Sequence, residues 1–292
     1  MPSFNTNGWI YHPDAIDELS SVPNGMFCDA APNLKGIGKG KTVLLYKNYD
    51  KVGIKMKSIN QGNVGSCVAA ALAGLTDNAK VTEIVGGERE EFLGQTAIEH
   101  IYRIARLNSN IRGDGASTAE AVKAMTILGT LVRMKYPEVD LTKYSVDRCR
   151  KWGNNQDYPK SLDKIAKQHK FINYTRLRSY EEVRDAIASG YCVAIGSSYG
   201  FNSTCDKNGF AKQDTTWNHC MYWSAIRSDI EGVLTQNSWD AWNVMPVRKF
   251  DEPVGSFWCR PEDCDKMASR GDCWALSNFE GFPKLIDSSV AW

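Results

Sequence analysis

The chain has almost no net charge. Its 35 lysine and arginine residues nearly balance 34 aspartate and glutamate residues, which leaves a formal net charge of +1 at pH 7. The sequence also lacks a long basic run. We therefore expect neither a nucleic-acid-binding surface nor a polybasic membrane anchor, and no electrostatic steering of an acidic partner.

Long apolar segments are missing as well. No apolar run reaches the roughly 18 residues that a membrane-spanning helix needs, and residues 1–8 have neither the basic nor the apolar region of a signal peptide. The nine cysteines are an odd number, which without an export signal favours reduced thiols over a disulfide framework. We expect a soluble protein without a signal peptide, cytoplasmic or virion-associated. One or two disulfides stay an open alternative for a protein that leaves the cell.

The composition is that of a folded protein. With 42% hydrophobic and 24% charged residues among 292, the chain can bury a full core as one large domain or as two joined lobes. Residues 1–48 contain turn signals but match none of the patterns described below. Three roles remain open for this N-terminal extension: an arm, a short prosegment, or a part of the first lobe.

A turn-rich segment that ends in a cysteine carries the strongest chemical signal. Residues 59–67 include Gly62 and Gly65 and deliver Cys67 to the first turn of an alanine-rich helix, predicted to run to about Lys80. The unpaired N–H groups and the dipole at a helix N-terminus stabilise a thiolate, so we predict a lowered pKa for Cys67. A thiol of this kind is a nucleophile.

Two later segments supply a base and a group that can orient it. The first contains His219, and the second reads Asn237-Ser238-Trp239. His219 follows Cys67 by 152 residues (219 − 67), and Asn237 follows His219 by 18 residues (237 − 219). A cysteine, a histidine and an asparagine in this order can provide a nucleophile, a proton carrier and an orienting group.

A glutamine six residues before the cysteine, Gln61, completes a recognisable pattern. The order Gln, Cys, His and Asn-Ser-Trp, with these separations, resembles the papain-like cysteine peptidases. The resemblance implies an α+β fold of two lobes over residues 49–292, in which a helical lobe packs against an antiparallel sheet or partial barrel. It also implies a peptide or protein substrate and neither a cofactor nor a metal.

The resemblance assigns a role to each catalytic position. Cys67 would attack the carbonyl carbon, and His219 would pair with the thiolate and then protonate the leaving amine. Asn237 would orient the imidazole, and Gln61 with the Cys67 N–H would form the oxyanion hole. Trp239 would shield the bond between His219 and Asn237 from water. The implied substrate-binding positions are Gly65, Ser66, Gly113, Gly115, Asn218 and Trp239.

Periodicity and capping signals predict the remaining elements. The predicted helices span 95–108, 117–129, 161–169 and 179–190. The predicted strands span 171–177, 191–196, 219–226, 232–239, 256–259 and 273–276, with a polar loop over 197–216. A mainly helical first half and a second half of strands fit the α+β class.

Two other functions remain open. Hydrolysis of an amide in cell-wall peptide, or acyl transfer, can also use a cysteine followed by a histidine, although the Gln and Asn-Ser-Trp elements favour the peptidase. A non-enzymatic component of a virion or another assembly is the third hypothesis, because residues 1–48 are unassigned and no long prodomain is recognisable. A zinc site at Cys259, Cys264 and Cys273 is discounted, because these cysteines form no CxxC pair.

Overall fold

The computed structural model describes residues 7–87, 92–107, 109 and 111–277. Residues 1–6 of the predicted extension, residue 108 of a predicted helix and residues 278–292 of the predicted domain lie outside this part of the chain. The helices of the described part are α1 (Pro13–Ser20), α2 (Phe27–Ala30), α3 (Asn48–Lys51), α4 (Cys67–Val85), α5 (Ile98–Leu107), α6 (Thr118–Leu128), α7 (Val146–Gly153), α8 (Leu162–Ala166), α9 (Tyr180–Ala188) and α10 (Pro261–Arg270). The strands are β1 (Val43–Leu44), β2 (Asn173–Arg176), β3 (Val193–Cys205), β4 (Ala211–Arg227), β5 (Gly232–Gln236), β6 (Phe257–Cys259) and β7 (Asp272–Ser277).

Helix α4 lies inside the fold because it is apolar on nearly every face. Its first nine residues, Cys67 to Leu75, are all buried, and the helix packs against α5 on one side and β4 on another. A helix that is apolar all round needs such surroundings. Burial also explains why α4 extends to Val85, beyond the end at about Lys80 that its alanine-rich start predicted.

Local capping signals set the starts of two other helices. The Ser117 hydroxyl accepts a hydrogen bond from the Glu120 N–H before α6, and Ser179 does the same for the Glu182 N–H before α9. Helix α6 ends at Gly129, whose φ of 77° lies in the region that favours glycine. The sequence predicted the starts of both helices within one residue and their ends within two, because these signals act within a single turn.

All strand pairs are antiparallel. The strands follow the order β2-β7-β3-β4-β5-β6, and β1 pairs with β4. Within the described residues the two end strands do not pair with each other, so the sheet is open and not a closed barrel. The α+β class predicted from the sequence is confirmed: helices pack against an antiparallel sheet.

The polar loop predicted over residues 197–216 is wrong. Strand β3 continues to Cys205 and β4 begins at Ala211, so most of the segment is a long hairpin with Gly209 in its turn at a φ of 86°. Its outer part is exposed, and its polar side chains give no apolar alternation. Cross-strand backbone hydrogen bonds hold this part of the hairpin, and a hydrophobic pattern cannot reveal them.

Five helices received no prediction, namely α1, α2, α3, α7 and α10. Two of them carry an apolar stripe. Helix α1 buries Ala15, Ile16 and Leu19, and α10 buries Cys264, Met267 and Ala268. Both are short and otherwise polar, as is α7. Docking against the rest of the fold, and not intrinsic helix preference, stabilises such short helices.

Residues 7–48 pack within the fold. Helix α1 contacts α6, and β1 adds a strand to β4. Leu34, between them, is completely buried. Residues 7–48 thus contact both the helices and the sheet of the rest of the chain. No helix in the described part of the chain is long and apolar enough to cross a membrane.

Candidate active site

Cys67 is the first residue of α4, and a tight loop places it there. Gly62 has a φ of 68°, and Gly65 lies so close to a neighbouring loop that a Cβ on it would be 2.9 Å from Asp114 Cγ. The Gly65 N–H donates to Asp114 Oδ2 at 2.6 Å. The two glycines thus allow the chain to turn sharply and bring the thiol to the helix N-terminus. Ser66 precedes it and is completely buried.

Burial dominates the electrostatics of the thiol. Cys67 is completely buried, which raises its pKa to about 12 even though the backbone N–H groups of Cys220 and Val68 act in the opposite direction. The prediction of a lowered pKa is therefore wrong for this structure. The helix N-terminus favours the thiolate, but the loss of water around the sulfur costs more.

His219 lies on β4, directly before Cys220, and the backbone N–H of Cys220 faces the Cys67 sulfur. Its Nε2 donates to Asn237 Oδ1 at 2.9 Å, so the imidazole has a fixed orientation. Its Nδ1 is buried, and no hydrogen bond joins it to Cys67 or to any other residue that the structure describes. His219 and Asn237 are thus held together, while the thiol lies nearby without a direct hydrogen bond.

Burial also keeps the imidazole neutral. It lowers the pKa of His219 to about 4, although the hydrogen bond with Asn237 acts in the opposite direction. With the thiol pKa near 12, both groups of the pair are neutral near pH 7 in this closed state. A thiolate and an imidazolium can form only together, by transfer of the thiol proton, or after water enters the site.

Two tryptophans contact His219, and a third packs on both of them. Trp239 lies over its ring, with centroids 4.3 Å apart and planes at 31°, and Trp217 meets it edge-on at 5.9 Å. Trp242 contacts both tryptophans, at centroid distances of 5.2 and 5.3 Å. The rings of this cluster exclude water from the hydrogen bond between His219 and Asn237.

Gln61 is fixed by neighbours on both sides of the site. Ser238 donates its hydroxyl to Gln61 Oε1 at 2.5 Å and accepts the Gln61 N–H through its carbonyl at 2.9 Å. Tyr144 donates to the Gln61 carbonyl at 2.8 Å, and Gln61 Nε2 donates to the Val64 carbonyl at 2.9 Å. An amide nitrogen has two hydrogens, so the bond to Val64 uses only one of the two that Gln61 Nε2 can donate. No sequence pattern pointed to Tyr144 as a support.

The cleft beside these residues holds a segment of the chain itself. Residues 7–10 are bonded to both walls: the Trp9 N–H donates to the Asn218 carbonyl at 2.8 Å, and the Ile10 N–H to the Ala116 carbonyl at 2.9 Å. The Ala116 N–H donates back to the Gly8 carbonyl at 2.9 Å. Asn218, the residue before His219, therefore binds an extended peptide backbone in this structure.

The predicted substrate-binding glycines have different positions. A Cβ on Gly115 would lie 2.9 Å from the Gly8 carbonyl oxygen, so Gly115 lines the cleft. Gly113 lies in the preceding turn, where its carbonyl accepts a hydrogen bond from Arg106 Nη2 at 2.7 Å. Ala116, which the sequence analysis did not single out, makes the backbone hydrogen bonds that we expected near the two glycines.

The buried histidines predict a loss of stability in acid. Burial lowers the pKa of both His100 and His219 to about 4, so below pH ~6.5 the unfolded chain binds protons that the folded chain cannot. The stabilisation is complete above about pH 6.5 and is lost as the pH falls towards about 4, by at most roughly 3 kcal/mol for each histidine. Asp77, whose pKa burial raises to about 6, acts in the opposite sense.

A comparison of two proteins isolates the histidine contribution. We expect urea unfolding of wild type to lose more stability between about pH 7 and about pH 4.5 than unfolding of His100→Gln. Asp77 is the same in both proteins, so its effect cancels. An equal loss in the two proteins would contradict the role of His100.

Comparison with known proteins places the fold in a known class. No protein-family model matches the chain, and neither does any curated protein. Among solved structures, xylellain, a cysteine protease from Xylella fastidiosa, aligns with a TM-score of 0.59 and 17% identity over 94% of this chain and 92% of its own. Procathepsin B S9 from Trypanosoma congolense aligns with a TM-score of 0.55 and 12% identity over 96% of this chain and 87% of its own. Digestive procathepsin L 3 from Tenebrio molitor aligns with a TM-score of 0.51 and 15% identity over 90% of this chain and 79% of its own. The chain therefore has the papain-like cysteine protease fold.

Proposed function

We propose that the chain is a cysteine peptidase that hydrolyses peptide bonds, with Cys67 as nucleophile and His219 as proton carrier. One observation carries this proposal: beside these two residues the cleft walls already hold an extended peptide, residues 7–10, by backbone hydrogen bonds. The structural neighbours described above are cysteine proteases or their precursors. A site that binds peptide backbone next to a thiol and an imidazole has the parts for acyl transfer from a peptide.

The reaction starts with a proton transfer inside the pair. The Cys67 thiol gives its proton to His219 Nδ1, the nitrogen that has no hydrogen-bond partner in the described structure. The thiolate attacks the carbonyl carbon of the scissile bond, and the carbonyl oxygen becomes an oxyanion. His219 then returns the proton to the leaving amine, and an acyl-enzyme with a thioester remains.

Water completes the cycle. His219 takes a proton from a water molecule, which attacks the thioester carbonyl and releases the second product and the Cys67 thiol. Asn237 keeps the ring oriented throughout by its hydrogen bond at 2.9 Å. Because Asn237 is neutral, it adds no charge that would have to be balanced when the imidazolium forms.

Covalent labelling tests the nucleophile. A peptide-like epoxide followed by intact-mass analysis should give one adduct at Cys67, absent in Cys67→Ala and slowed by at least ~100-fold in His219→Ala. Iodoacetamide is less suitable because Cys28 has an exposed thiol, and Cys28→Ser is the matched control that should label as wild type does. Adducts spread over several cysteines, with no dependence on His219, would overturn the proposal.

Gln61 gives a second, graded test. We expect Gln61→Ala to lower kcat by about 10²–10³, the usual cost of one lost oxyanion donor. Ser238→Ala should lower kcat less, because it removes only the hydroxyl that fixes Gln61 Oε1. Steady-state kinetics measures both, with thermal unfolding to show that each variant is folded. A Gln61→Ala protein with unchanged kcat would exclude Gln61 from the oxyanion hole.

The occupied cleft is also the observation that favours a second candidate. Cys67 and His219 are completely buried, as in a protein that keeps this fold for binding or assembly and performs no hydrolysis. The two candidates differ in what happens when residues 7–10 are displaced. A peptidase gains activity, whereas a structural component remains inactive.

A further inference from the structure

The loop that presents Cys67 is held by contacts with other parts of the chain. Ser66 stands at the N-cap position of α4, and in the described structure its side chain caps no backbone N–H of that helix. Its hydroxyl lies 3.3 Å from the Tyr144 hydroxyl instead. A capping side chain ordinarily fixes the start of a helix, so at α4 contacts from elsewhere in the fold take over this role.

Asp114 makes such a contact. It lies in the turn that leads to Ala116, the residue whose backbone binds residues 7–10. Its Oδ2 accepts the Gly65 N–H at 2.6 Å. A hydrogen bond to a carboxylate is shorter and stronger than one between neutral groups. Because Gly65 is two residues before Cys67, this bond fixes the backbone directly ahead of the proposed nucleophile.

Tyr102 holds the other oxygen of the same carboxylate. Its hydroxyl donates to Asp114 Oδ1 at 2.5 Å and accepts the Gly115 N–H at 3.0 Å. Burial, together with the bond to Asp114, raises the pKa of Tyr102, so the hydroxyl keeps its proton and donates it. A hydroxyl can donate and accept at the same time. The N–H groups of Gly65 and Gly115, which belong to two different loops, are therefore joined through two side chains.

Helix α5 fixes the position of this tyrosine and of the turn beside it. Tyr102 is 2% exposed, and a Cβ on Gly153, at the end of α7, would lie 2.5 Å from its ring. Arg106, one turn further along α5, donates to the carbonyls of Gly113 and Gly115. A closely packed ring has little freedom to leave its rotamer, so the turn between the two glycines is held by two side chains of one helix.

We propose that Asp114 is a positioning residue of the site: it holds the loop that presents Cys67 against the turn that leads to Ala116. The inference rests on the proposed peptidase function. Asp114 acts through the Gly65 N–H and the Tyr102 hydroxyl. Without it the two loops lose their shared anchor, and a displacement of a reacting group by about 1 Å can lower the rate by roughly 10²-fold.

A conservative substitution separates position from charge. Asparagine has the shape of aspartate and keeps an oxygen that can accept the Gly65 N–H, whereas alanine keeps no acceptor. We expect Asp114→Ala to lower kcat by about 10–100-fold and Asp114→Asn to stay within about threefold of wild type. Both substitutions remove the negative charge, which adds to burial in raising the pKa of the Cys67 thiol. A role of the charge alone would therefore give the same result for both.

A difference between kcat and KM separates the two loops. Tyr102→Phe retains the bond between Asp114 and Gly65 but removes the hydroxyl that accepts the Gly115 N–H. It should raise KM by about three- to tenfold, the cost of one lost hydrogen bond, and lower kcat less than Asp114→Ala does. Steady-state kinetics on one fluorogenic peptide measures every variant, both in the wild-type chain and in full-length Trp9→Ala.

Asp140→Ala and Tyr136→Phe are the matched controls. The Asp140 carboxylate accepts from the N–H and the hydroxyl of Thr142 in an exposed loop, and the Tyr136 hydroxyl donates to the Val132 carbonyl. Each substitution removes the same kind of bond outside the network of Asp114. Both controls should keep kcat and KM within about twofold of wild type.

Hydrogen exchange tests the position of the loop without any turnover. Selective ¹⁵N labelling of glycine reports the Gly65 and Gly115 amides in one spectrum, with Gly190, whose N–H donates to the Ile187 carbonyl, as the internal reference. Relative to this reference, the Gly65 amide should exchange at least about tenfold faster in Asp114→Ala than in wild type or in Asp114→Asn. In Tyr102→Phe the Gly115 amide should show the larger change.

The two measurements separate this inference from the peptidase proposal. If the Gly65 amide responds as expected but no variant hydrolyses a peptide or labels at Cys67, the anchor at Asp114 is supported and the proposed function is contradicted. Unchanged exchange of the Gly65 amide in Asp114→Ala overturns the inference. An equal loss of kcat in Asp114→Ala and Asp114→Asn overturns it as well, because position would then not be what the carboxylate supplies.

Discussion

Replacing Cys67 with alanine should reduce the turnover of a peptide substrate by a factor on the order of 10⁶. In the proposed mechanism the thiol forms the covalent bond, and an alanine side chain has no group that can form it. What remains is catalysis by binding and by the oxyanion hole, which does not replace the acyl-enzyme. Fluorogenic peptide hydrolysis with purified protein measures the loss.

A second buried cysteine provides the control. Cys192, directly before β3, is 3% exposed and has the same chemistry as Cys67 without its position. Cys192→Ala should keep activity within about twofold, apart from any loss of folded protein seen in thermal unfolding. If Cys67→Ala kept the activity of wild type, the proposed mechanism would be excluded.

Replacing Trp9 with alanine should have the opposite effect and raise activity. We expect the rate of epoxide labelling at Cys67, and kcat/KM for a peptide, to rise by about 10–100-fold. Removing a buried aromatic side chain costs roughly 3–5 kcal/mol of packing, and each 1.4 kcal/mol changes an equilibrium tenfold. Part of this packing energy holds residues 7–10 in the cleft, and their backbone hydrogen bonds remain in the variant, so we expect a smaller effect than the full packing energy would give.

Tyr11 is the matched control in the same segment. It packs on Trp9 with ring centroids 5.8 Å apart, yet half of its side chain is exposed. Tyr11→Ala should therefore change the labelling rate by no more than about twofold. Equal rates in wild type and Trp9→Ala would show that residues 7–10 are not the barrier to the site.

The two predictions are linked through the electrostatics of the closed site. In this state burial keeps the Cys67 thiol and the His219 imidazole neutral, with pKa values near 12 and 4. Displacing residues 7–10 admits water or substrate and reduces the cost of charging both groups. We expect the N-terminus of α4 to stabilise the thiolate only in that opened state. Activation and exposure of the nucleophile would then be parts of one conformational step.

Local sequence was sufficient for the features that depend on one turn or one motif. The start of α4 at Cys67, the caps at Ser117 and Ser179, and the helix end at Gly129 are set by residues three or four positions apart. The order of the Gln, Cys, His and Asn-Ser-Trp elements predicted the papain-like fold, which the solved structures support.

Strand pairing and contacts between residues far apart in the chain were harder to predict. The hairpin from β3 to β4 appeared in the sequence as a polar loop, because its outer residues are exposed and only backbone hydrogen bonds define it. The support of Gln61 by Tyr144 and Ser238 joins residues far apart in the chain. No periodicity encodes such contacts, since they depend on which elements meet after folding.

The sequence by itself predicted the proposed reacting groups and their order, because a cysteine at a helix N-terminus and a histidine followed by an asparagine can be recognised from residue type and spacing. Only the tertiary structure decided that burial keeps the thiol and the imidazole neutral. Trp9 and Asp272 are 263 residues apart, yet their side chains form a hydrogen bond. Burial raises the pKa of the Cys67 thiol, and this desolvation depends on all the elements packed around the sulfur and not on its neighbours in sequence alone.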